Sequence, residues 1–140
     1  MQETHASRTA SDLRIVIGGL IRRLRVENAL PIGQGAVLAR LDRDGPATTS
    51  ALAAAEHVRA QSMAATIAEL ADDGLVARRP HPLDRRQILI ELTGRGREKL
   101  ADDRQRREGW LAQAIEAELT PGEQETLEQA VPLLRRLTQR

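Results

Sequence analysis

The chain has 140 residues, 41% hydrophobic and 29% charged with a formal net charge of +1, the make-up of an ordinary folded protein the length of one domain. It has no cysteine, which excludes disulfides and thiol-based redox sensing. Trp110 is its one aromatic residue, so the core has to be built from Leu, Ile, Val and Ala, a set that favours packed helices over a β-sandwich. Apolar stretches are broken by Arg or Gly well short of the ~20 residues that span a bilayer, and residues 1–9 are polar, without an apolar signal segment. A cytoplasmic protein with no membrane partner is expected.

A first helix is expected over residues 7–29, where Leu13, Val16, Ile17, Leu20, Ile21 and Leu24 repeat at the spacing of one buried face. Gly18 and Gly19 inside it cost about 1 kcal/mol each relative to Ala, tolerable where another backbone crosses closely. Pro31 marks a break, and a second helix over residues 33–43 turns Val37, Leu38 and Leu41 inward. Asp44-Gly45-Pro46 is a turn, after which Thr48 or Thr49 caps a short alanine-rich helix reaching about residue 56. A fourth helix is expected to start near Ser62, bury Met63, Ile67 and Leu70, and close at Gly74. Two short helices joined by a tight connection make a helix-turn-helix.

Residues 75–79 and 87–92 read as strands, the second with Ile88, Ile90 and Leu92 alternating against Leu89 and Glu91. Between them Pro80-His81-Pro82-Leu83-Asp84-Arg85-Arg86 is too polar and proline-rich for sheet interior, and predicts a hairpin with a basic tip, a wing. Thr93 caps a long helix to about residue 119. Thr120-Pro121-Gly122-Glu123 is a capping box with proline at the first helical position. The last helix carries Leu127, Val131, Leu134 and Leu137, and Pro132 is expected to kink or restart it.

The expected fold class is mainly α with a small β-hairpin wing. A winged helix-turn-helix domain (residues 32–96) is flanked by N-terminal (1–31) and C-terminal (97–140) dimerisation helices. The apolar stripes of the first and the last two helices cannot all be buried on a winged domain of about 60 residues, so a homodimer is the economical solution. Two-fold symmetry then predicts recognition helices about one DNA turn apart on a pseudo-palindromic site.

Residues 78–87 hold four arginines, one Asp and one His, whereas beyond Lys99 acids outnumber bases by eight to six. A basic loop on a near-neutral body suits a focused phosphate contact, although a solvated charge run looks the same. At the start of the fourth helix the outward candidates for base and backbone contacts are Arg59, Gln61, Ser62, Ala65 and Thr66; an ordinary surface helix is the plainer reading. In the wing, an arginine of Asp84-Arg85-Arg86 can enter a narrow minor groove. Asp84 repels phosphate but makes sense as a strut orienting one guanidinium through a bidentate pair, the alternative being a surface salt bridge worth ~0–1 kcal/mol.

The order helix-turn-helix, Gly74-Leu75-Val76-x-Arg78, a hairpin with Asp84-Arg85-Arg86, then Leu92-Thr93-x-x-Gly96 closely resembles the MarR family of bacterial regulators. The resemblance covers about residues 32–100 with motifs. It implies an obligate dimer interlocked through first and last helices, each subunit presenting a recognition helix and a wing to double-stranded DNA. By position, Arg85 looks like the minor-groove arginine and Arg86 its phosphate-contacting or Asp84-paired neighbour. Thr48, Thr49 and Ser50 look like backbone contacts. The family's small lipophilic effectors bind between dimerisation helices and winged domain, where Leu13, Ile17, Leu41 and Trp110 are the candidate liners, with plain core packing as the alternative. Repression is the commoner outcome in such a dimer.

The competing function is a helical dimer that kept the winged fold as a protein-interaction module; the paired arginines beside an orienting Asp argue against it. An enzyme is not expected, since no nucleophile motif or phosphate loop is present and the three histidines (His5, His57, His81) do not cluster in sequence. No metal or other cofactor is expected: Glu56 and His57 are adjacent rather than a helical turn apart, and His81 lies in the wing. His57 reads as a turn residue or phosphate contact.

Overall fold

The computed structural model describes residues 3–140; Met1 and Gln2, the start of the polar N-terminal segment, lie outside the described residues. Six helices and a three-stranded antiparallel sheet follow in the order α1 (His5–Arg25), α2 (Ile32–Asp44), β1 (Ala47–Thr48), α3 (Thr49–Ala55), α4 (Ala60–Asp72), β2 (Val76–Pro80), β3 (Ile88–Leu92), α5 (Gly94–Glu118) and α6 (Pro121–Thr138). Strand order is β1-β3-β2, with Ala47 opposite Ile90 and Arg78 also opposite Ile90 on the other side. β1 was not expected. Two residues after Pro46, the second of them the cap of α3, are too few to show alternation, and only pairing with β3 makes them a strand.

Pro80 lies in the sheet rather than beyond it, as the last residue of β2 opposite Ile88. This costs no ladder bond because β2 is an edge strand, where a missing N–H is tolerated.

The core belongs to the winged part of the chain. Val37, Leu38 and Leu41 of α2, Leu52 and Ala53 of α3, and Met63, Ile67 and Leu70 of α4 pack with Leu75, Val76, Ile90, Leu92 and Leu100. Each such side chain contributes about 1.5–3 kcal/mol when fully buried. α1 and α6 bury none of their residues within the chain. The stripe expected to be the inner face of α1 is open, with Val16 57%, Ile17 41% and Ile21 47% exposed, and Leu127, Val131, Leu133 and Leu137 of α6 are likewise exposed. Gly18 and Gly19 meet only the side chain of Arg22, so no other backbone of the chain crosses there.

α1 ends at Arg25, before the expected residue 29, and the following turn is pinned to α5. Ala29 N–H donates to Oδ1 of Asp103 at 2.6 Å. The capping box of α6 is formed as expected, Glu123 N–H donating to Thr120 Oγ1 at 3.2 Å and Thr120 N–H to Glu123 Oε1 at 2.9 Å. α6 does not restart at Pro132 but runs through it as one element, with Pro132 on an exposed face.

Candidate nucleic-acid interface

The helix-turn-helix owes its shape to two helix ends. α3 starts on Thr48, whose Oγ1 accepts the Ala51 N–H at 3.1 Å, and stops in a Schellman motif. There Val58 N–H donates to Ala53 O at 3.0 Å and His57 N–H to Ala54 O at 3.3 Å. His57 occupies the left-handed position of that motif (φ 55°), a place that normally belongs to glycine, so it is the turn residue. The same motif closes α4: Leu75 N–H to Leu70 O at 2.9 Å, Gly74 N–H to Ala71 O at 3.0 Å, with Gly74 at φ 73°. Across the turn, Arg40 of α2 donates to Glu56 at 2.7 Å, and the carboxylate raises the guanidinium pKa further above its ordinary value.

α4 begins at Ala60, two residues before the expected Ser62, with Arg59 as its N-cap and no side chain capping the first turn. Arg59 is extended (φ −70°, ψ 148°), which aligns Met63 N–H with Arg59 O at 3.0 Å and starts the helix without a Ser cap. Arg59, Gln61, Ser62 and Ala65 are exposed along this end, whereas Met63, Ile67 and Leu70 are buried. Thr66 is half-buried and its hydroxyl donates to Ser62 O at 3.1 Å.

At the start of α3, Thr48 and Thr49 are half-buried and Ser50 is exposed; the Thr48 and Ser50 hydroxyls share a hydrogen bond of 3.2 Å. These three residues line a shallow groove with Gln87 and Ile88, which puts the root of the wing beside the cap of α3. Gln87 was missed by sequence reasoning because only the β1–β3 pairing brings it there.

The wing narrows where His81 N–H donates to Gln87 O at 2.9 Å and Gln87 N–H to Asp84 O at 3.0 Å. Inside the loop, Nδ1 of His81 accepts the N–H groups of Leu83 (3.1 Å) and Asp84 (3.2 Å). Asp84 Oδ1 accepts both the backbone N–H of Arg86 (3.1 Å) and its Nε–H (3.3 Å). Asp84 meets Arg86 through one oxygen shared by backbone and side chain, where a bidentate fork was expected; the guanidinium reaches the carboxylate through Nε alone. Arg85 is exposed and has no hydrogen bond or ion pair among the described residues. Leu83 stands 91% exposed beside it.

The four expected effector liners do not come together. Leu41 is 3% exposed inside the winged core, Leu13 is half-buried, Ile17 lies on the open face of α1, and Trp110 sits under the Arg23 guanidinium at 4.3 Å. The clefts beside α1 and α5 are lined instead by Leu24, Arg104, Arg107, Glu108 and Leu111, and by Ile21, Arg25, Asn28 and Ile32. Helical periodicity gives a face, whereas the residue that fronts a cleft depends on how α1 and α5 cross. Among the described residues no group of three or more His, Asp or Glu is placed to hold a metal ion, and no helix is long and apolar enough to cross a membrane.

The MarR family model matches residues 30–88, the stretch that holds the helix-turn-helix and most of the wing. The chain is 39% identical over 131 residues to an uncharacterized HTH-type transcriptional regulator of Mycobacterium bovis, covering 91% of each. An HTH-type transcriptional regulator of Mycobacterium tuberculosis matches to the same extent, 39% over 131 residues and 91% of each chain. Among solved structures, a candidate transcriptional regulator protein from Pseudomonas aeruginosa superposes with a TM-score of 0.86 at 36% identity, covering 99% of both chains. A MarR family protein from Bacillus stearothermophilus shares the fold, with a TM-score of 0.80 at 20% identity over 100% of this chain and 99% of that one. With the winged helix-turn-helix and its basic loop in place, the chain belongs to the MarR family of transcriptional regulators.

Proposed function

We propose that the protein is a repressor that binds a pseudo-palindromic operator in double-stranded DNA as a homodimer, with the first turn of α4 in the major groove and Arg85 of the wing in the adjacent minor groove. The observation that carries this reading is the state of the wing: Arg85 is exposed, with no ion pair among the described residues, in a loop whose backbone is tied by Asp84 and His81. A solvated charge run needs no such bracing. The uncapped N-terminal amides of α4 and the exposed Arg59, Gln61 and Ser62 supply phosphate and base contacts.

The homodimer is supported by the open apolar faces of α1 and α6, which the chain itself leaves uncovered. Small-molecule control belongs in the cleft between α1, α2 and α5, where Ile21, Leu24 and Leu111 form an apolar wall and Arg104 and Arg107 a basic edge. An effector wedged there would alter how α1 and α5 carry the winged part.

Selection of a preferred site from a pool of short duplexes tests the reading. A two-fold site whose affinity falls steeply with salt is expected. Weak, sequence-indifferent binding would instead make the protein an interaction module on a winged scaffold.

A further inference from the structure

The histidine in the wing carries a role that neither the arginines nor the sheet can fill. His81 Nδ1 accepts two backbone N–H groups, from Leu83 at 3.1 Å and Asp84 at 3.2 Å, two and three residues on. A ring nitrogen that accepts cannot bear a proton, so the neutral imidazole here carries its hydrogen on Nε2. Asp84 is then held at three points: its N–H by His81, its carbonyl by Gln87 N–H at 3.0 Å, and its carboxylate by Arg86. Arg85 is the one residue between Asp84 and Arg86, so these bonds fix the backbone on both sides of it.

We propose that His81 is the positioning residue of the wing: Nδ1 of its ring accepts two backbone N–H groups and holds the loop in the shape that aims Arg85 at DNA. The proposal rests on the DNA-binding reading above. Both bonds share one acceptor, so removing the ring loses them together.

Elsewhere in the wing, Asp84 pairs with Arg86, and Arg79 of β2 pairs with Glu91 of β3 at 2.9 Å. His81→Asn separates the acceptor from the ring: an Asn side-chain oxygen accepts from N–H groups two and three residues on, as in Asx turns and helix caps.

The experiment compares wild type, His81→Asn and His81→Ala on one selected duplex at fixed salt and fixed pH. His81→Ala should bind about three- to tenfold more weakly, and His81→Asn, which restores an acceptor, should recover most of that loss. Equal affinity of His81→Ala and wild type, or no recovery in His81→Asn, would overturn the proposal. Amide hydrogen exchange of the DNA-free protein separates this from the DNA reading. Leu83 and Asp84 amides protected in wild type and His81→Asn but not in His81→Ala, in a protein that binds no duplex, would retire the operator and keep the positioning role. Equal exchange in all three proteins would end the proposal whatever the DNA result.

Discussion

Asp103 accepts the backbone N–H of Ala29 through Oδ1 at 2.6 Å, while its Oδ2 lies 3.0 Å from Arg107. The side chain is 3% exposed, a buried charge that links α5 to the turn between α1 and α2. Removing it strands a backbone donor and an arginine. Asp103→Ala should cost about 2–3 kcal/mol of stability in urea denaturation at neutral pH. Asp103→Asn keeps the acceptor for Ala29 and should cost less. An alanine variant as stable as wild type would show that the turn does not depend on this bond.

Gly96 sits where α5 leaves the sheet, and a Cβ there would run into the carbonyl oxygen of Leu75 and come within 2.7 Å of Leu92 Cδ1. Neither neighbour can move freely, since Leu75 O accepts Thr93 N–H at 3.1 Å and Leu92 is in the core. Gly96→Ala should therefore destabilise the fold by about 1–3 kcal/mol. Gly94→Ala, two residues earlier with nothing near its Cβ, is the control and should be close to neutral. Similar thermal midpoints for the two variants would contradict the packing argument.

His57 holds a left-handed conformation that costs an L-residue about 1–2 kcal/mol. Since its N–H bond is a backbone one, His57→Gly should keep the Schellman closure of α3 and raise stability by about 1 kcal/mol. A lower melting temperature in the glycine variant would mean the imidazole contributes more than the strain removes.

In the wing, Asp84→Ala removes a negative charge yet should weaken operator binding by about 1 kcal/mol, because the Arg86 N–H and Nε–H lose their shared acceptor. Asp84→Asn retains an oxygen for the backbone N–H and should stay nearer wild type. Tighter binding by the alanine variant in a fluorescence titration would make Asp84 a repulsive bystander.

Much of this was legible where local chemistry decides. The Thr48, Thr93 and Thr120 caps and the Gly74 closure follow from side-chain reach and backbone freedom within a few residues, and all four are found. The wing was legible from a proline-rich basic segment between two alternating runs. Features made by tertiary contact were not. β1 exists only through pairing with β3, and the start of α4 at Ala60 comes from the extended Arg59 rather than from a capping side chain. The effector liners turn on the same kind of contact: Leu41 lies in the winged core and Trp110 against Arg23, because tertiary packing decides which apolar residues front a cleft. For His81 the signal was present but unread. It stands two and three residues before free amides in a turn, the position an Asx residue would take.

The most direct measurement is the affinity of wild type and Arg85→Ala for the selected duplex across a salt series, with melting temperatures taken alongside. The expected result is a two-fold site, a steep loss of affinity with salt, and a further loss of about 1–3 kcal/mol in Arg85→Ala at an unchanged melting temperature. Arg85→Ala binding as tightly as wild type, with the same salt slope, would contradict the assignment of the wing to DNA.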